Sequence, residues 1–340
     1  MLEVRLNGYD LAPVLVGAPQ VSDQMAAACR TMNITVQKTA ALGNNLGQPV
    51  GLWRNGVREF YGYLFKRSFE SKGTIGYTVV EPLVYLKENP DDYYFKNMTA
   101  TQAFRQLCSA SGITVGSLAN TGAVLPQLYY QGKEPDKIAV DLLARTYQLT
   151  GKKYWYRFNP EDGPNLGFNL FEQVIPVKVW AFQPGINLLS ATYEESIEET
   201  KTIVKLVNRD TGKVVTKINT DFLARFGSKK YFEEVQKDAV DTMDRKGTDL
   251  LAQKSKIGIT MSIEGTSPGG IMPQLFSGDV VYAEEGYTGL LGAYYVVNIT
   301  QTYASANLVN LALDLQYAPL IPEIQYDDAT TDPAAAARAT

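Results

Sequence analysis

Hydrophobic and polar residues alternate along much of this chain with the period of a β-strand, most clearly near its C-terminus. From 307 to 315, Val309, Leu311, Leu313 and Leu315 interleave with Leu308, Asn310, Ala312 and Asp314, as in a strand with one buried face. Just upstream, 290–299 is dense in β-branched and aromatic residues, Glu285-Gly286 supplies a turn and Ser277-Gly278 opens the run, so 276–315 predicts a meander of strands. The alternation recurs early. Ala28, Arg30, Met32, Ile34 and Val36 interleave with Cys29, Thr31, Asn33, Thr35 and Gln37, a run whose second face is largely polar. Segments 50–54 and 57–65 flank Asn55-Gly56, the pair that suits a two-residue type I′ hairpin. With strands at 14–16 and 75–80 and a loop at 41–48, the first ninety residues read as a mostly antiparallel β-domain.

The two β-rich ends share a grammar. Gly47 stands three residues before Val50, as Gly278 does before Val281, and Gly62 and Gly292 follow after similar intervals. Two copies of a glycine-bounded hairpin suggest two related β-domains; chance recurrence of glycine in hairpins is the competing explanation.

The period changes after Asn89-Pro90-Asp91-Asp92. Thr99 with Gln102 forms a capping box for a helix with Ala103, Phe104, Leu107 and Cys108 on one face and Gly112 as its stop. A second helix is predicted over 136–149 with Gly151 just past its end, and 154–158 with 166–172 makes a hairpin, so 89–171 is a small α+β insert. After Pro184-Gly185 the pattern returns to strands over 193–207 and 214–218. A long helix is predicted over 233–253, a strand over 257–263, and disorder from Tyr326 to the end. The fold class expected is mainly β, α+β overall, with one long helix in the C-terminal half.

At 340 residues the chain is long enough for two or three domains. No apolar run reaches the roughly 18–20 residues of a membrane span, and the N-terminus lacks a basic and then apolar leader, so cytosolic synthesis and no membrane partner are expected. Histidine is absent, which removes Ser-His, Cys-His and His-ligated metal sites together. Two cysteines without partners at ligand spacing read as structural, Cys108 on an apolar helix face above all. A net charge of −4 does not indicate a nucleic-acid surface, and the Lys66-Arg67 and Lys152-Lys153 pairs are too small for one. Glu194, Glu195, Glu198 and Glu199 form the dense carboxylate group. In an extended strand they point to both faces, which disfavours paired-acid hydrolysis. Ser267, among the glycines of 265–270, has no base beside it. The 21 tyrosines, paired at 61/63, 93/94, 129/130, 154/156 and 294/295, suit protein interfaces better than ligand stacking. No catalytic, cofactor-binding or metal-ligating residue and no cofactor is expected.

Val21-Ser22-Asp23 through Arg30, the 47–65 hairpin, Tyr85-Leu86-Lys87, 95–100, 108–113, Asn120-Thr121-Gly122, Arg225-Phe226-Gly227, the Gly278-Asp279-Val280-Val281 turn and 291–297 together resemble a known family. In order and spacing they are similar to the baseplate hub proteins of contractile-tailed phages and phage-like particles of Gram-positive bacteria, the XkdQ/YqbQ type related to late control protein D. The resemblance extends nearly to Tyr317, departing at Gln301, where many relatives carry a histidine. It implies a homotrimeric hub in the baseplate of a virion or tail-like particle. Two tube-like antiparallel β-barrels are expected per subunit, one from 1–88 with a return segment at 172–192, the other from 193–320. The insert at 89–171 then lies outside both, and 321–340 is a flexible tail. The implied partners are further copies of the chain, the sixfold tail tube protein, the central spike, other baseplate proteins and the tape measure protein, with DNA passing through the lumen without specific binding. The competing reading is a cell-wall-binding or wall-degrading module with the insert as its sugar-binding unit.

Overall fold

The computed structural model describes residues 1–25, 27, 29–39, 46–235, 242–268, 274–319 and 321–326. The first strands are β1 (Leu2–Leu6), β2 (Tyr9–Asp10), β3 (Gln20–Gln24), β4 (Thr31–Gln37), β5 (Pro49–Arg54), β6 (Val57–Phe69) and β7 (Thr74–Val80). The insert follows as α1 (Tyr85–Glu88), β8 (Asp91–Phe95), α2 (Ala100–Ala110), β9 (Val115–Leu118), β10 (Leu128–Lys133), α3 (Pro135–Thr150), β11 (Tyr154–Asn159) and β12 (Gly167–Glu172). Then come β13 (Trp180–Phe182), β14 (Leu188–Ser196), β15 (Ile203–Val207), β16 (Val214–Ile218), α4 (Thr220–Phe226), β17 (Lys230–Glu234) and α5 (Met243–Lys254). The chain ends in β18 (Gly258–Pro268), β19 (Val280–Glu285), β20 (Leu290–Ser305) and β21 (Leu308–Gln316).

The fold is mainly β, as the alternation requires. All but β15, β16 and β17 of the strands expected to form two separate barrels share one open 13-stranded sheet instead, in the order β14-β18-β21-β20-β3-β4-β7-β6-β5-β1-β2, with β13 and β19 joined through β20. No sheet among the described residues closes on itself. The physical reason is at β3. One of its edges pairs with β4, and the other is taken by β20 from the far end of the chain, Ser22 opposite Thr300.

The glycine grammar has a structural counterpart. Gly47 N–H donates to Leu64 O at 2.8 Å and Leu64 N–H to Gln48 O at 3.0 Å; Gly278 N–H donates to Val296 O at 2.7 Å and Val296 N–H to Asp279 O at 2.9 Å. Both glycines have positive φ, +78° and +88°, which the turn into each hairpin requires. The second glycines are not equivalent. Gly62 lies opposite Val50, where a Cβ would meet Val80 O at 2.4 Å, whereas Gly292 lies two rungs farther, opposite Ala283.

The chain divides into two compact units, Met1–Ala191 with the described residues from Ser262 onward, and Thr192–Met261. In the first, the insert packs α2 and α3 with its two small sheets around Phe104, Leu107, Leu142, Tyr156 and Phe168, and shares that core with Met25, Leu83 and Leu86. In the second, β16-β15-β17 carries α5, whose Met243 shares a core with Val204, Leu206 and Val215. The long helix expected over 233–253 is shorter. Lys230–Glu234 is a strand parallel to β15, α5 begins at Met243, and 236–241 lies outside the described residues. Of the tail expected from 321, residues 325 and 326 are fastened to the insert: both backbone N–H groups donate to Asp141, at 2.8 and 3.1 Å. The rest of that expectation, 327–340, lies outside the described residues.

Candidate functional site

The sheet of the first unit has two unlike faces. Toward the core, β3 gives Val21, β4 gives Met32, Ile34 and Val36, β7 gives Ile75, Tyr77 and Val79, β20 gives Ile299 and Tyr303, and β21 gives Val309, Leu311 and Leu313. Alternation sends the intervening residues to the opposite face. Register lines them up across six strands. One row runs Lys66, Thr78, Asn33, Gln20, Thr302, Asn310, and the next runs Val80, Thr31, Ser22, Thr300, Ala312. A third joins Gln24, Asn298 and Asp314, with Asn298 Nδ2 donating to Asp314 at 2.9 Å.

All of these residues are exposed or half-buried. Lys66 at one margin and Asp314 at the other are the only charges in the three rows. Between them lie hydroxyls, amides and small apolar groups, some bonded to each other, as Thr78 Oγ1 donates to Asn33 at 3.1 Å. The C-terminal contribution has no cation at all, because the sequence contains no Lys or Arg between Lys256 and Arg338. Such a face presents few fixed charges to bind a polyanion, and its broad, shallow polarity offers no concave pocket for a small molecule.

Beneath this face a buried polar seam fixes the joint between early strands, late strands and insert. Arg30 Nε donates to Glu81 at 2.7 Å and its Nη2 to Glu59 O at 3.1 Å, while Arg54 pairs with Glu59 at 2.5 Å. Asp23 accepts from Ser277 N–H and Oγ at 2.8 and 2.9 Å. Phe276 lies between two guanidinium groups, 4.5 Å from Arg30 and 4.2 Å from Arg157, and Arg157 pairs with Asp279 at 2.7 Å. Gln301 is buried here, donating to Leu275 O at 2.8 Å and accepting from the Tyr303 hydroxyl at 2.8 Å. Burial raises the Tyr303 phenol well above its usual range, so it stays a neutral donor. The pairings within the seam are those of buried charges that hold geometry, and the Asp23 carboxylate that accepts from the Ser277 hydroxyl also accepts from the Ser277 backbone N–H, as in a turn-fixing bond.

The residues singled out from the sequence do not converge on this seam. Glu194, Glu195, Glu198 and Glu199 are exposed in and just after β14. Ser267 is buried in β18, and 269–270 of its glycine loop lie outside the described residues. Cys108 is fully buried on α2, and burial pushes both its thiol and that of Cys29 up to about 12. The tyrosine pairs divide differently from the interface expectation. Tyr93, Tyr130, Tyr154, Tyr156, Tyr294 and Tyr295 are buried core residues, as in an insert whose Phe104, Tyr156 and Phe168 rings lie 5.2–6.0 Å apart. Among the described residues no group of three or more His, Cys, Asp or Glu could hold a metal ion, and no helix is long and apolar enough to cross a membrane. The neutral sheet face itself escaped the sequence reading. Its signals were the polar halves of β4 and β21 and the long cation-free stretch.

Comparison with known proteins follows the fold. A family model described as YQBQ-like matches residues 20–316. The phage-like element PBSX protein XkdQ of Bacillus subtilis (strain 168) is 28% identical over 247 residues, 72% of this chain and 73% of that protein. The 43 kDa tail protein of prophage MuSo2 from Shewanella oneidensis superimposes with a TM-score of 0.62 at 14% identity, over 92% of this chain and 97% of its own. The tail protein from Neisseria meningitidis MC58 gives 0.65 at 13% identity, over 94% and 98%.

Proposed function

The chain belongs to the YQBQ-like family, and from that premise we propose that it is a structural hub protein in the baseplate of a contractile phage tail or phage-tail-like particle. In this reading three copies form a ring, an adaptor between the sixfold tail tube and the central spike. Each copy gives two tube-forming β-regions, 1–88 with the return segment 172–192, and 193–320, and three copies thus offer six nearly equivalent surfaces. The observation that carries the reading is the neutral polar face spanning six strands from both β-regions, which suits the wall of a channel. The equivalent hydrogen bonds of Gly47 and Gly278 support a doubled β-unit. Tube protein, spike, other baseplate proteins and the tape measure protein are its partners, and DNA crosses the lumen without specific binding.

Light scattering on the purified chain, with spike protein added in case the free hub is monomeric, is expected to give a mass near three subunits. A stable dimer or hexamer would sink the symmetry. A hub of this kind has no hydrolytic role, so the protein should clear no peptidoglycan in a zymogram; clearing that disappears with Glu194→Gln or Glu198→Gln would favour a wall-degrading module instead.

A further inference from the structure

The strands give the first unit two distinguishable ends. Stepping from the row containing Thr78 and Thr302 to the row containing Val80 and Thr300 moves along β20 toward the β19–β20 turn and along β7 toward the insert. The β6–β7 turn points the other way, together with the β20–β21 turn. The insert leaves from the C-terminal end of β7, so it does not leave from the β6–β7 end.

The β6–β7 end is basic and carries an aromatic ring. Phe69, 60% exposed, is the last residue of β6. Arg67 lies 5.0 Å and Lys38 5.8 Å from its ring centre, and Lys72 is exposed on the turn. Glu70, the acid of the turn, accepts from Thr74 Oγ1 at 3.0 Å. The turn is pinned rather than loose. Gly73 O accepts from Lys38 N–H at 2.9 Å and from Gln37 Nε2 at 3.0 Å, and Gly73 takes a φ of +78°. The opposite end, at the β19–β20 turn, carries Glu284 and Glu285, the last residues of β19, within the cation-free stretch.

We infer that the pinned β6–β7 turn, with Phe69 as anchor and Lys38, Arg67 and Lys72 around it, is a docking surface for an acidic protein surface. The charge sign selects carboxylates, and a fixed aromatic residue supplies buried area at little entropic cost. Nucleic acid fits less well, because Lys38 and Arg67 stand against the Phe69 ring on which a base would stack, and the adjoining sheet rows hold one cation, Lys66. The inference deepens the hub reading by giving the chemistry of the partner at the β6–β7 end, and it does not depend on how many copies assemble.

The test uses the full chain and three labelled probes followed by fluorescence anisotropy: a peptide alternating Glu and Leu, the same peptide with Lys for Glu, and a DNA duplex. The Glu peptide is expected to bind at low salt and to weaken as salt rises. Lys38→Glu with Lys72→Glu should weaken it about tenfold or more, Phe69→Ser should weaken it at unchanged salt dependence, and Lys178→Glu, far from the turn, should leave it unchanged. Circular dichroism checks the fold of each variant, and Lys72→Glu alone serves if the double variant misfolds. Equal binding of the Glu and Lys peptides, DNA binding as tight as the Glu peptide's, or retention of affinity in the charge-reversed variants would overturn the inference. A wrong assembly mass with this binding intact would instead count against the hub alone.

Discussion

Single residues decide whether the two sheet halves can meet, and they differ in why they are needed. Gly47→Ala places a Cβ on a positive φ in open space, so it should cost about 1–2 kcal/mol. Gly62→Ala drives a Cβ into Val80 O, so backbone must move and it should cost more; urea unfolding that ranked the two the other way would refute the close-approach argument. In the seam, Glu81→Gln leaves Arg30 buried without its counter-charge, an expected loss of about 3–5 kcal/mol in the same assay. The thiols give a pH test. Both Cys29 and Cys108 are raised in the fold from 9.0 to about 12, so the unfolded chain ionises first. Their contribution is complete below pH 9 and is lost as pH rises toward 12, and stability should fall across that window while native protein at pH 8 resists thiol reagents. Cys→Ser variants that leave the alkaline fall unchanged would dismiss this source. Gly47 and Gly278 were legible in the sequence because a turn demands their φ. The seam was not, because Arg30, Glu59, Glu81 and Phe276 are far apart in sequence and ordinary in composition.

At the scale of elements, local signals held and long-range ones misled. The Thr99 capping box forms, with Gln102 N–H donating to the Thr99 hydroxyl, and α3 stops at Gly151 with φ of +71°. Both depend on neighbours a few residues apart. Glu233 and Glu234, the end of β17, were read as the start of a helix because their partner β15 lies parallel across a long connection, which no local period reports. The last described residues, 325–326, were read as tail for a related reason. Their backbone is held by Asp141, which also accepts from the Tyr130 hydroxyl and from Arg145, both at 2.7 Å. Asp141→Asn removes the charge that gathers these donors. Limited proteolysis should then cut between 321 and 326 faster than in the parent chain, with the insert core intact. Equal cutting rates would mean that the side chains, Tyr326 against Tyr130 above all, hold the segment without the carboxylate.

For the whole molecule, what matters is charge kept off a surface. Period-two alternation made β4 and β21 readable as half-polar strands, yet their joining into one neutral face depends on β3 meeting β20 across most of the chain, which only tertiary structure supplies. Such a face is easily spoiled. Thr300 and Thr302 sit near its middle, half-buried, with side chains on the polar side. If the proposed hub conducts DNA along this face, replacing both by Lys would place cations where a passing phosphate backbone would linger. The backbone hydrogen bonds of β20 and the apolar residues beneath are untouched, so assembly should proceed. Particles built with the double variant are expected to form in normal yield, to release DNA more slowly, and to recover as salt rises, because each retained phosphate displaces counterions. Thr300→Glu with Thr302→Glu is the matched control; it carries the same bulk of change with the opposite sign and should release DNA at the parent rate. If the lysine particles release DNA as fast as the parent at low salt, the neutral face is not the wall of the proposed channel, and its polarity must serve another contact of the protein.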